Sequence, residues 1–271
     1  MKNTHGATAI LTGASRGIGP YIARTLAREG VQLALAARDV AKLEQTRAAC
    51  EALGVRAIVV AVDVTSTEAL GRLIDTTTRE LGPIDILVNN AGIEIPGSLG
   101  ELSDAEADFV LETNLRAPIR LTRLVLPDML ARRRGAIVHV SSMAGKSGAP
   151  YNAMYSATKF ALQGFSESMQ FELEATGVHM GTVCPGFVAD AGMWANRGGK
   201  APLLVSAVSP QKVADGVWKV IGGSLEVLVT PAPFRPLLAL NQMFPGLQRP
   251  LLKRLGVAKA MRGSRASAPR A

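Results

Sequence analysis

Cysteine is scarce: only Cys50 and Cys184 occur in 271 residues. Two are too few for a disulfide framework, and neither has a CxxC or Cys/His neighbour. No metal site is therefore expected, and a reducing, cytoplasmic compartment fits. Aromatic residues make up 4% of the chain, too sparse for the stacking platforms that hold single-stranded nucleic acids. A membrane-spanning helix needs about 18 consecutive apolar residues. The most apolar late stretch, 225–252, is broken by Pro231, Pro233, Pro236, Pro245 and Pro250. A secretion signal is not expected either, because the one short apolar stretch at the amino terminus runs straight into a glycine motif.

Acid is missing from one region. Residues 231–271 hold Arg235, Arg249, Lys253, Arg254, Lys259, Arg262, Arg265 and Arg270 but no Asp or Glu. Those eight cations equal the whole formal excess of +8, so residues 1–230 are balanced. The basic character belongs to a tail and not to a DNA-reading fold, and no nucleic-acid partner is expected.

The chain has the composition of a folded globular protein, with 48% hydrophobic and 19% charged residues. Its 27 Gly and 15 Pro follow no period, which argues against repeats. Short aliphatic runs at 7–11, 32–36, 57–61, 84–89, 136–141, 179–184 and 226–229 alternate with helical patterns at 20–29, 41–53, 66–81, 103–133, 155–176 and 210–221. This is the pattern of βαβ units and an α/β parallel sheet of seven strands, apolar along their length because helices cover both faces. Ser103 with Glu106 reads as a capping box, and Ser209 before Pro210 as a helix start. The expected organisation is one domain over 1–230 and a helical, basic, apolar extension over 231–271.

Three groups of residues carry chemistry. The first strand leads into Gly13, Ala14, Ser15, Arg16, Gly17, Ile18 and Gly19, followed by a helix. Glycines at such a turn let backbone amides and the positive helix end approach a pyrophosphate. At the end of the second strand, where an acid would accept from the 2′-hydroxyl of NAD, stands Arg38. With Arg16 it offers two forked cations to a 2′-phosphate, which favours NADP over NAD unless the adjacent Asp39 serves a ribose hydroxyl. Finally, Tyr155 and Lys159 lie four apart in a helical segment and share one face. An ammonium beside a phenol stabilises the phenolate and makes the tyrosine a usable acid/base.

With these motifs in place, the chain resembles the short-chain dehydrogenase/reductase family over roughly residues 5–230. The matches are TGASRGIG at 12–19, Asp63-Val64, Asn89-Asn90-Ala91-Gly92, Asn114, Ser141-Ser142, Tyr155 through Lys159, and Pro185-Gly186, in the family's order and spacing. The resemblance implies a Rossmann-type doubly wound sheet with the dinucleotide at the carboxyl ends of the strands. It implies Tyr155 as general acid, Lys159 holding the ribose hydroxyls, Asn114 positioning a water of the proton relay, and a serine binding the substrate oxygen. Family spacing selects Ser142 over Ser141, and neighbours in a strand point to opposite faces. Asp63 and Val64 would flank the adenine, Asn90, Ala91 and Gly92 would line the cleft, and Pro185, Gly186 and Val188 would approach the nicotinamide. Where the family places a threonine the chain has Asp190, which accepts from a carboxamide but donates only when protonated.

The expectation is an NADP-dependent oxidoreductase interconverting a hydrophobic ketone or aldehyde and its alcohol, active as a homo-oligomer. The rival is a non-catalytic NADP-binding sensor or scaffold of the same fold, disfavoured because all four site residues are present. Phe187, Met193, Trp194, Leu203 and Leu204 suggest an apolar substrate pocket or a lid. The tail is expected to pack on the body and fray after about Gly256, or to form short amphipathic helices that cap the substrate cleft and a subunit interface or touch an anionic membrane peripherally.

Overall fold

The computed structural model describes residues 4–193, 207–231, 235–244, 246, 250 and 254. Trp194, Leu203, Leu204 and Phe234 lie outside the described residues, as do all the tail cations except Arg235 and Arg254.

Seven strands form one parallel sheet in the order β3-β2-β1-β4-β5-β6-β7. They are β1 (Thr8–Thr12), β2 (Gln32–Ala37), β3 (Ala57–Ala61), β4 (Ile84–Asn89), β5 (Gly135–Val140), β6 (Val178–Pro185) and β7 (Glu226–Val229). Every residue of β1, β4 and β5 is buried, because helices cover both faces. Neighbours in a strand divide between the two layers. Leu11 and Val88 pack with Ile22, Leu26 and Val217 of one layer. Ile10 and Leu87 pack with Leu70, Leu73 and Leu121 of the other. The first layer holds α1 (Gly19–Arg28), α2 (Val40–Glu51) and α7 (Pro210–Ile221); the second holds α3 (Thr67–Leu81), α4 (Asp104–Leu111), α5 (Ala117–Ala131) and α6 (Ala153–Glu172). A last helix, α8 (Arg235–Met243), follows β7.

Caps set several helix starts. Ser66 accepts from Ala69 N at 3.2 Å, and Ser103 and Glu106 form a reciprocal capping box. Asp39 caps α2, its carboxylate accepting from Lys42 N at 3.1 Å. The order of strands reverses between β1 and β4, and the crevice above such a switch point is where doubly wound sheets hold ligands.

The structure departs from the expected single helix over 103–133. Helix α4 runs into a π-helical turn at Glu112–Arg116 before α5 begins. Propensity cannot announce this extra residue; Asn114 at its centre is fully buried and held by the loop after β4. Helix α6 also begins earlier than expected, at Ala153.

Candidate active site

The site is assembled at the carboxyl ends of β1, β4, β5 and β6. Gly13 and Gly17 both have positive φ, +66° and +64°, which admits glycine without strain. Close packing adds a second demand. A Cβ at Gly13 would lie 2.9 Å from Ala91 Cα, and one at Gly19 would lie 2.1 Å from Gly13 O. All three glycines are thus required by the loop's own fold, Gly13 by conformation and packing, Gly17 by conformation and Gly19 by packing. Gly17 instead faces the loop after β6, with Gly192 Cα 3.3 Å from its Cβ position. Ile18 precedes α1 as its N-cap and leans on the core, Ser15 is half-buried, and Arg16 is exposed.

The loop after β4 is stapled to this turn. Thr12 Oγ1 accepts from Asn90 N and Ala91 N, each at 3.0 Å. Asn90 Nδ2 donates to Thr12 O at 3.0 Å and to Gly13 O at 3.1 Å. Asn90 therefore spends its amide on the glycine turn, while its buried Oδ1 has no partner among the described residues. Sequence reasoning placed Asn90 in the cleft but missed Thr12, whose hydroxyl organises both loops.

At the end of β2, Arg38 is exposed and its charge acts on Asp63, while the charge of Arg16 acts on Asp39. Asp63 accepts from Thr65 N at 2.9 Å and Thr65 Oγ1 at 2.7 Å; the backbone bond leads in holding its pKa below the usual range. Val64 beside it is buried. The Asp39 pKa is also lowered, chiefly by the Lys42 backbone amide. Its carboxylate is engaged as a cap and by the Lys42 ammonium at 3.2 Å.

Tyr155 and Lys159 stand one turn apart on α6, with Lys159 Nζ 5.6 Å from the centre of the Tyr155 ring. Lys159 is 4% exposed and donates to Val140 O at 2.9 Å. Burial pulls its pKa down to about 8. Asn114 clamps the Ile93 backbone from both ends of its amide, accepting from N and donating to O at 2.8 Å each. Gly92 lies between them: a Cβ there would be 3.2 Å from Asn114 Oδ1 and 3.7 Å from Lys159 Nζ. Met193 Cε comes to 3.5 Å of the same point, which sets an apolar side chain over the site.

The two serines diverge as the strand pleat requires. Ser141 is buried and donates to Lys159 O at 3.2 Å. Ser142 is half-buried, and its Oγ accepts from Ala144 N at 3.1 Å. That acceptance leaves the Ser142 hydroxyl proton available to another oxygen. Pro185 and Gly186 are held against β7 by Gly186 N donating to Val229 O at 3.0 Å, and Val188 bridges to Val208. Asp190 is exposed at φ +58°, a left-handed conformation that Asp tolerates.

Two further residues near the site carry no motif. Asn152 immediately precedes α6, is 2% exposed and donates to the Glu94 carboxylate, tying the loop after β4 to the helix of Tyr155. His139 is fully buried beneath Lys159, and burial first, then the Lys159 charge, pulls its pKa down to about 3. It is a neutral ring at any working pH. Position in the fold, and no local pattern, brings both of these here.

A glycine turn at the switch point of a doubly wound parallel sheet defines a dinucleotide-binding α/β protein, and beside it a phenol, Tyr155, stands next to a buried ammonium, Lys159. The model of the short chain dehydrogenase family matches residues 7–201. A ketoacyl reductase, HetN, of Nostoc sp. is 41% identical over 90% of this chain and 88% of its own. A variant of actinorhodin polyketide ketoreductase with NADPH superposes with a TM-score of 0.76 at 33% identity, covering 83% of this chain and 95% of its own. A metagenomic short-chain oxidoreductase in complex with NADP gives 0.73 at 34% identity, covering 85% and 99%. The chain belongs to the short-chain dehydrogenase family, and with it to the NAD(P)-dependent oxidoreductases. Among the described residues, no helix is long and apolar enough to cross a membrane.

Proposed function

We propose that the protein reduces the ketone of an apolar, acyl-type substrate with NADPH, Tyr155 supplying the proton. The observation that carries this reading is the buried Lys159 ammonium beneath the Tyr155 ring. The residues present fit the dinucleotide. The glycine turn offers backbone amides, Asn90 Oδ1 is an unpaired acceptor beside it, and Arg16 and Arg38 suit a 2′-phosphate. Asp39 is engaged as a helix cap, which leaves no free acid at the end of β2 to favour NAD. Asp63 and Val64 would flank the adenine, and Pro185, Gly186 and Val188 would wall the nicotinamide. When bound, NADPH supplies hydride to the carbonyl carbon.

The chain's own residues do the rest. As the carbonyl oxygen gains charge, Tyr155 gives it the phenolic proton and Ser142 donates a hydrogen bond to it. Lys159 holds the ribose hydroxyls and stabilises the phenolate left on Tyr155. Asn114, locked to Ile93, fixes the π-helical turn from which a water returns the proton. Met193, Ile93 and Phe187 supply apolar contact, and the relatives' ketoacyl and polyketide names support an acyl-chain ketone. A homo-oligomer suits the exposed Leu124, Phe160 and Phe171 of α5 and α6, and a cytoplasmic site suits two buried, free cysteines.

The test is Tyr155→Phe, which removes the transferable proton and little volume. Turnover of a 3-ketoacyl thioester, read by nicotinamide absorbance, should vanish while NADPH still binds. Near-native kcat in that variant would overturn the assignment.

A further inference from the structure

Tyr155 and Lys159 share their face of α6 with a third residue, Gln163, four positions further along and 4% exposed. Its Nε2 lies 3.3 Å from Ser141 Oγ, 3.5 Å from Ser142 O and 3.5 Å from Cys184 Sγ. Each of these atoms is free to accept. The Ser141 hydroxyl proton is given to Lys159 O at 3.2 Å, and burial pushes the Cys184 pKa up to about 12, so the thiol stays neutral. The amide has one orientation, because turned over it would set Oε1 against the Ser142 carbonyl. As it stands, Oε1 is buried without a partner among the described residues. An unpaired amide oxygen in a core costs stability, and an apolar side chain of the same length would avoid that cost.

What the amide nitrogen holds is the turn that carries Ser142. This single turn, Met143–Gly145, closes by Gly145 N donating to Ser142 O at 2.9 Å and Ala144 N donating to Ser142 Oγ at 3.1 Å. Gly145 lies directly on α6: a Cβ there would be 2.6 Å from both Gln163 Nε2 and Lys159 O. The far end of the turn is tied by Lys146 to Glu226 of β7. The near end meets the helix of Tyr155 and Lys159 through Gln163.

We propose that Gln163 is a positioning residue of the active site, locking the Ser142 turn onto α6 so that the Ser142 hydroxyl is aimed at the substrate oxygen beside Tyr155. The inference rests on the proposed reduction and adds to it a residue outside every motif of the sequence. A core glutamine with half of its amide unpaired serves alignment and not stability.

The experiment compares the native chain with Q163M, which keeps the side-chain length and removes the donor. With a 3-ketoacyl thioester, kcat should fall about fivefold, the factor that one neutral hydrogen bond carries, while KM for NADPH stays the same and the melting temperature does not drop. In an S142A background the same change should cost nothing further, because no hydroxyl is left to aim. A glutamine with only a packing role would instead lower the melting temperature and cost the same factor in both backgrounds. Q170M, later on the same helix, loses amide bonds to Met180 O and Leu225 O and should leave kcat unchanged. Should Q163M fail to fold, S141A removes one acceptor of the same amide and should lower kcat in the native but not the S142A background; an unchanged kcat there overturns the proposal. Hydrogen exchange of the amides of residues 143–147 gives a readout that needs no substrate, and it should quicken about fivefold in Q163M but not in Q170M. Unchanged kcat in Q163M, a full further loss in the S142A background, or unchanged exchange overturns the proposal. If the native chain turns over no ketone while exchange quickens in Q163M, the proposed reduction falls and the anchoring of the turn by Gln163 stands.

Discussion

Replacing Lys159 with methionine removes one charge and keeps a side chain of similar length. At 5.6 Å from the Tyr155 ring, with an effective dielectric of about 20, the ammonium stabilises a phenolate by about 3 kcal/mol. Losing it should lower kcat about a hundredfold at saturating NADPH. The effect on stability has the opposite sign. Burial lowers the Lys159 pKa from 10.5 to about 8, so below pH 8 the folded state carries a charge it would rather not bury. That shift corresponds to about 3 kcal/mol of destabilisation, against which the bond to Val140 O contributes about 1 kcal/mol. Lys159→Met should therefore be more stable by about 2 kcal/mol at neutral pH and melt roughly 4–8 °C higher. The pH dependence follows from the same shift. Because the unfolded chain holds this proton up to 10.5 and the folded one only to about 8, native stability gains from this group as pH rises between those values. The variant should lack that gain. Over the same rise the native enzyme loses the ammonium, and its reductase activity should fall above about pH 8, a limb that Lys159→Met should not show. Stopped-flow kinetics and calorimetry across pH 6 to 10 would measure both. A kcat within fivefold of native, or activity and melting temperature falling together, would refute the reasoning.

Neutralising Arg16 and Arg38 together should raise KM for NADPH by tenfold or more and leave KM for NADH nearly unchanged, since a charge-assisted bond contributes roughly 1.5–3 kcal/mol. Equal shifts for both cofactors, in steady-state kinetics, would count against the two cations. Gly19→Ala drives a Cβ to 2.1 Å from Gly13 O and 2.9 Å from Ala14 Cα, both backbone, so the glycine turn must move. It should cost roughly 1–3 kcal/mol of stability and abolish the fluorescence change of NADPH binding. Gly54→Ala meets nothing within 4 Å and serves as the comparison, bearing only the strain of its positive φ.

Residues 7–229 disclosed much of this protein because its central features are local. Strands buried on both faces must be apolar throughout, so seven of them stand out. The glycine turn lies within one loop, and Tyr155 and Lys159 lie within one helical turn, so both are visible as local patterns, to which the order and spacing of the other family motifs give their roles. Tertiary structure decided the rest. Asn114 opens a π-helical turn in what reads as one continuous helix, because its amide is claimed by Ile93, 21 residues away. Asp39, an open choice between ribose and solvent, is taken by the start of α2. Asn90 reaches back across to Thr12 and Gly13, a bond between the ends of two neighbouring strands that no single segment encodes. The pKa of Lys159 is likewise invisible in sequence, where lysine is an exposed cation. Only the packing of α6 against β6 and the turn after β5 removes it from water, and desolvation is a property of the whole surrounding shell.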